Sequence, residues 1–354
     1  MMQKVGQRRM TTAVLVEPGR IELREVPVPE PGPGELLVRV DAALTCGTDL
    51  KTYRRGHPRI PLPAPMGHEF SGTVAAAGKG VDGFREGDAI ACVPTAPCLD
   101  CRLCRRGREN LCPGAVGRIV LGAFAEYVLL PRHLVEVNVF HRPSTLDPEI
   151  AAALEPLACV IHGADRTRLE RAETVVFLGD GPITLLFLQI ARRRGAGRIL
   201  VVGRHASRLA VAAELGAEAL RDPGPAALRE AVLDWTGGDG ADVVVECVGT
   251  PELWEAAHGL AAVGGEVLLY GGCAAGTRAT FDTCRIHYDE VDLKGAFHYG
   301  RAAVRRAYEL LTSDGIRVEP LITHRLPLPR LDEAIQLALS RTAIKVALRP
   351  EDRP

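Results

Sequence analysis

Residues 174–205 read TVVFLGDGPITLLFLQIARRRGAGRILVVGRH, and this stretch decides the fold. The apolar run at 174–178 has the continuous hydrophobicity of a strand buried on both faces. A glycine turn follows, then a helical apolar pattern through ITLLFLQIARRR, then a second apolar strand, RILVVG. Strand, glycine turn, helix and strand make the mononucleotide-binding half of a doubly wound sheet. In such a turn the first glycine makes the bend, the second lets the backbone approach a pyrophosphate, and the helix N-terminus attracts that anion. Gly179, Gly181, Pro182 and Ile183 are therefore assigned to a dinucleotide. Thr184 stands where a third glycine is usual, which predicts a helix set slightly off its strand. The second strand ends in Gly203-Arg204-His205, with no acidic residue to bond the 2′-hydroxyl of NAD. Arg204 can pair bidentately with a 2′-phosphate, and His205 can touch it, so the pattern favours NADP(H) over NAD(H).

Downstream the alternation continues. Helical SRLAVAAELGA leads to a short segment around 218–220, then helix AALREAVLDWTG, strand ADVVVECVG, helix PELWEAAHGLAAVG and strand GEVLLYGG. This βαβα series predicts an α/β fold with a parallel sheet covered on both faces. Upstream, residues 1–155 are β-rich, with short alternating runs such as ELLVRVDAAL and FSGTVAAAG broken by Pro and Gly. The expected domains are thus 1–155, 156–298 for the dinucleotide, and a return segment 299–354 holding one helix and a last strand, AIKVALRP. Met10 opens the first strand, and residues 1–9 read as a loose extension.

With 354 residues and about 150 per domain, two domains fit the length. A net charge of −1 gives no basic footprint, so no nucleic-acid partner is expected. No apolar run approaches the ~18 residues of a membrane span, and the stretch after Arg9 is too short for a signal peptide. A cytoplasmic protein is expected, in which ten cysteines do not build a disulfide framework.

Four of those cysteines, Cys98, Cys101, Cys104 and Cys112, form C-x2-C-x2-C-x7-C. Four thiolates on a short loop suit a closed tetrahedral zinc with no vacancy for chemistry. A second, dispersed set comprises Cys46 in CGTD, His68 and Glu69 in GHE, and Glu155 in EPLA. A catalytic zinc takes three protein ligands and keeps one open position, and this set can supply them.

Taken in order, CGTD (46–49), GHEFSG (67–72), the four-cysteine lobe, EPLA (155–158), GDGPI (179–183) and DLKGAF (292–297) resemble the zinc-containing medium-chain dehydrogenase/reductase family over nearly the whole chain. The EP form and the GHE triplet look most like its sorbitol, polyol and threonine dehydrogenases. The resemblance implies a GroES-like catalytic domain beside the Rossmann domain, and two zinc ions per chain. It implies a catalytic zinc on Cys46, His68 and either Glu69 or Glu155, with Asp49 orienting His68. Zinc would acidify the substrate hydroxyl, Thr48 would pass its proton toward the cofactor ribose, and hydride would go to the nicotinamide. Where relatives carry a relay histidine this chain has Lys51, either a proton shuttle or a contact for cofactor phosphate. Lys345 takes the place of a basic residue near the pyrophosphate, or else snorkels from an edge strand. Tyr53, His298 and Tyr299 are expected to line the substrate pocket; His298 replaces an arginine that helps hold a polyol, so sorbitol itself is not implied.

The expected reaction moves a hydride between a secondary hydroxyl of a polyol, cyclitol or similar small molecule and NADP(H). Threonine and simple secondary alcohols stay open as substrates, as does NAD. A zinc-free reductase lacks the CGTD cysteine and the lobe, and a non-enzymatic zinc ribbon leaves the dispersed set unexplained. A homodimer or homotetramer is expected from the resemblance.

Overall fold

The computed structural model describes residues 8–57 and 59–350. Of the expected N-terminal extension, residues 1–7 lie outside these, and Arg9 already belongs to the first strand, Arg9–Glu17. The chain divides into two compact units, one holding the residues up to Ala158 with those from Gly300 onward, the other Cys159–Tyr299.

The second unit is a six-stranded parallel sheet in the order Glu218–Arg221, Arg198–Gly203, Thr174–Leu178, Ala241–Glu246, Ala261–Leu269, Asp292–Gly295. Counted along the chain this is 3-2-1-4-5-6, the doubly wound order, with the switch point between its first and fourth strands. Val175, Val176, Phe177, Val243, Val244 and Val245 are essentially inaccessible. Such burial on both faces is what the unbroken apolar runs require. The helix expected over PELWEAAHGLAAVG is shorter, Pro251–Leu260. At Ala261 the backbone turns extended, and AAVGGEVLL becomes strand. Gly264 and Gly265 stabilise a helix poorly, so sheet pairing wins the segment.

The first unit holds a mixed seven-stranded sheet and a three-stranded one. Leu36–Leu44 is central to the larger sheet, pairing antiparallel with Glu69–Ala77, Tyr127–Leu130 and Lys345–Arg349. The core gathers Leu36, Val38, Phe70, Ile90, Phe124 and Leu134, all buried, and the C-terminal Leu331, Ile335 and Val346 join it. The fold class read from the sequence therefore holds: an α/β Rossmann sheet plus a β-rich domain. Among the described residues no helix is long and apolar enough to cross a membrane.

Candidate active site

Sheet register builds the centre. Leu44 faces Glu69 across the antiparallel pair, so the chain leaves one strand at Thr45-Cys46 beside the point where it enters the next at His68-Glu69. Cys46 caps the helix Gly47–Arg55. The Thr48 N–H donates to its Sγ at 3.4 Å, and its own N–H donates to Asp49 Oδ2 at 2.9 Å, a reciprocal capping box. The other Asp49 oxygen lies 3.3 Å from His68 Nδ1. One buried carboxylate thus fixes both the Cys46 backbone and the His68 ring. The ligand atoms of Cys46, His68 and Glu69 all lie within 4.8 Å of one another.

Burial dominates the electrostatics. It pushes the Cys46 thiol up, Glu69 adds to the rise, and His68 opposes it. At His68 burial works downward, but Asp49 and Cys46 outweigh it and hold the imidazole well above its usual range. Glu69 is pushed up to about 7 by burial, with Lys345 pulling it down and Glu155 pushing it further up. Glu69 Oε1 is buried with no hydrogen-bond partner. An orphaned carboxylate oxygen beside a thiol and an imidazole is an incomplete set that a divalent cation would complete, and its S, N and O donors suit zinc.

Lys345 corrects the sequence reading. It is neither free for a pyrophosphate nor on an edge strand. Its strand runs between Ile322–Pro327 and Leu36–Leu44. Its side chain is 2% exposed, ion-paired to Glu69 Oε2 and donating to the Thr45 carbonyl at 3.0 Å. Glu155 sits in the first turn of Leu154–Ala164, buried and outside the tight group, yet close enough to act on Glu69. Lys51 is exposed on the Gly47–Arg55 helix, and Thr48 is half-buried. Tyr53, on the same helix, is half-buried and packs against the core of the β-rich unit. A mostly apolar cleft beside Thr48 and His68, lined by Ile60, Leu62, Met66, Ile119 and Leu121 among others, was not foreseen. In the other unit Tyr299 is buried and its ring packs at a 31° tilt against that of His298, centroids 4.0 Å apart.

The four lobe cysteines also bring their sulfurs together. Cys101 Sγ lies 3.5 Å from Cys104 Sγ and 3.8 Å from Cys112 Sγ, and Cys112 Sγ lies 3.5 Å from Cys98 Sγ. A tetrahedral zinc with bonds of ~2.3 Å spaces its sulfurs about 3.8 Å apart, so the cage fits that ion. Backbone N–H groups of Asp100 and Cys101 hold the Cys98 thiol down at about 6, while burial pushes Cys104 up to about 12. Glu109, in the same lobe, takes the Arg301 guanidinium at 2.6 Å.

In the Rossmann unit Gly179 has φ +109°, and a Cβ there would lie 2.9 Å from Val248. Gly181 caps the helix Pro182–Arg193 with no side-chain bond, and a Cβ there would meet nothing within 4 Å. The helix N-terminus, with Pro182 and Ile183 in its first turn, is thus open to an anion. Thr184 is fully buried beneath it, against the Cys247 thiol. The end of the second strand is not free of carboxylates, as its own sequence suggested. Asp180 Oδ2 accepts the N–H groups of Arg204 at 2.7 Å and His205 at 2.8 Å, and takes His205 Nδ1 at 2.9 Å. Asp222, just past the third strand, accepts Arg204 Nε at 3.1 Å. Sequence reasoning missed both, because each reaches Arg204 only through the parallel pairing of the strands.

Residues 32–138 match the alcohol dehydrogenase GroES-like domain, and residues 182–313 match the zinc-binding dehydrogenase domain. A sorbitol dehydrogenase of Halalkalibacterium halodurans is 32% identical over 339 residues, 94% of this chain and 97% of its own. The chain belongs to the zinc-containing medium-chain dehydrogenase family. Within that family an L-threonine 3-dehydrogenase of Bacillus velezensis is 32% identical over 93% of this chain and 95% of its own. A zinc-binding dehydrogenase of Sinorhizobium meliloti 1021, solved bound to NADP, superposes with a TM-score of 0.87 at 35% identity, covering 97% of this chain and all of that one. Membership makes this a zinc-dependent alcohol dehydrogenase by class and sets the zinc-ribbon reading aside.

Proposed function

We propose that the protein moves a hydride between a secondary hydroxyl of a small alcohol, polyol or cyclitol and NADP(H), using one catalytic and one structural zinc per chain. The observation that carries this reading is the convergence of Cys46, His68 and Glu69 around an orphaned carboxylate oxygen. Cys46, His68 and Glu69 would hold the catalytic ion, with Glu155 acting on Glu69 from outside. When bound, zinc supplies the Lewis acidity that makes a hydroxyl proton easy to remove at neutral pH. Asp49 holds His68 through Nδ1, leaving Nε2 for the metal. Thr48, at the cleft, would take the hydroxyl proton by hydrogen bond. Exposed Lys51 offers a point charge to a cofactor phosphate.

Gly179, Gly181 and the open helix N-terminus would take the pyrophosphate. Arg204 would exchange Asp222 for the 2′-phosphate, a pairing it can make bidentately, while Asp180 holds the neighbouring His205 ring through Nδ1. The NADP bound by the Sinorhizobium relative supports this choice. The Arg204–Asp222 pair favours a second reading, in which Asp222 keeps Arg204 and NAD is the cofactor. Titration with NADPH and NADH, followed by cofactor fluorescence, decides between them. Tighter NADPH binding, lost in Arg204→Ala, supports the proposal; tighter NADH binding favours the second reading; binding of neither overturns both.

A further inference from the structure

Asp180 lies between the two glycines of the Rossmann turn and is buried. Val202 pairs with Leu178 across the parallel strands, and the Gly179 N–H donates to the Val202 carbonyl at 2.8 Å, so Asp180 comes beside Gly203. One Asp180 oxygen takes the N–H groups of Arg204 and His205 together with His205 Nδ1. The other lies 3.7 Å from Nη1 of buried Arg208. Burial works to raise the Asp180 pKa, but the His205 and Arg204 bonds outweigh it and hold the carboxyl below its usual range. His205 is the N-cap of the helix Ala206–Glu214 and makes no side-chain cap bond, so the anion at this helix start comes from the neighbouring strand end. Gly203 does not have a positive φ, and its backbone therefore does not call for glycine. What calls for glycine is room: a Cβ at 203 would lie 2.5 Å from both Cβ and Oδ2 of Asp180. Gly203 is also the last residue of the second strand, the place from which an acid would reach the 2′-hydroxyl of NAD.

We infer that Asp180, a residue of the glycine turn, sets the choice of cofactor. Its side chain fills the room that a side chain at 203 would need, so the strand end cannot carry the acid that recognition of NAD uses. An acid placed at 203 would also stand in contact with the Asp180 carboxylate, and two like charges there oppose each other. The same carboxylate fixes the backbone of Arg204 and His205, from which the guanidinium is offered to the 2′-phosphate. Asp180 is thus a positioning residue, acting through Gly203 and Arg204. This inference rests on the NADP reading and names the residue that decides it. A carboxylate that served only to hold the start of the helix would affect stability and leave the choice of cofactor unchanged.

The test moves the carboxylate from the turn to the strand. NADPH and NADH are titrated, by cofactor fluorescence, into the wild type, Gly203→Asp and the double variant Asp180→Ala/Gly203→Asp, with folding checked by circular dichroism. The double variant keeps the local charge and removes the clash. Its ratio of affinities should shift toward NADH by about a hundredfold from that of the wild type, one charged hydrogen bond of about tenfold being lost by NADPH and one gained by NADH. Gly203→Asp alone should weaken NADPH by about tenfold or more and bring no gain for NADH. Failure of that single variant to fold beside a folded double variant is the same clash and supports the inference. Should the double variant not fold, Asp180→Ser/Gly203→Asp is read in its place. A double variant that keeps the wild-type preference, or a single variant that gains NADH as fully as the double, overturns the inference and leaves the NADP reading standing. Tighter NADH binding by the wild type removes that reading, and the inference with it.

Discussion

At the scale of single residues, the centre depends on charges buried in contact. Lys345 and Glu69 are 2% and 1% exposed, and removing one member of such a pair leaves the other uncompensated. Lys345→Met should therefore destabilise the protein by about 3–5 kcal/mol in urea denaturation. A change within 1 kcal/mol would mean that the pair contributes little. Asp49 acts through its neighbours, bonding the Cys46 backbone and His68 Nδ1 together. Asp49→Asn should lower metal affinity or kcat by about 10–100-fold, the range for partners that orient metal ligands. Unchanged zinc content and unchanged kcat would show that His68 needs no such support. Arg204 is three-quarters exposed and already paired with Asp222, so the phosphate gains only the difference between two partners. Arg204→Ala should weaken NADPH by about tenfold, a charged hydrogen bond being worth about 1.5 kcal/mol or more, and leave NADH near its wild-type affinity. Equal losses for both cofactors would place Arg204 outside the 2′ site.

At the scale of elements, the lobe and the Rossmann turn differ in how much the sequence says of them. The C-x2-C-x2-C-x7-C spacing is local, so the cage could be anticipated from 15 residues. Cys104→Ser should lower the thermal midpoint while folded protein keeps most of its kcat; a fully stable but inactive variant would reverse the assignment of the two zinc roles. The tether between lobe residue Glu109 and Arg301 spans 192 positions and carries no local signal. Burial raises the Glu109 pKa, but the Arg301 bonds outweigh it and hold the carboxyl below its usual 4.5. A lowered folded-state pKa contributes stability that is present above pH 4.5 and lost as the pH falls through the depressed value. The destabilisation caused by Glu109→Gln should accordingly shrink in melts taken at progressively lower pH below 4.5. A difference that stays constant would show that the charge plays no part. The Asp180 bonds to Arg204 and His205 were illegible for the same reason. Their strand ends meet only once the parallel register is known.

At the scale of the molecule, the fold class was readable because each segment's apolar period agrees with its place. Continuous runs lie in the doubly covered sheet, and alternating runs in the β-rich unit. The dispersed set Cys46, His68 and Glu69 was legible only through its resemblance to a family, since each residue alone has a structural explanation. Lys345 was misplaced because the burial of a cation depends on a partner 276 positions away. The apolar cleft was unseen because Leu15, Ile60 and Leu121 share nothing in sequence but hydrophobicity. The central claim is that Cys46, His68 and Glu69 hold a zinc on which turnover depends. Its most direct test is elemental zinc content with turnover, measured on wild type and on a folded Cys46→Ser variant. The account predicts about two zinc ions per chain in the wild type, and about one in the variant with turnover abolished. A variant that keeps both ions and its activity would contradict it.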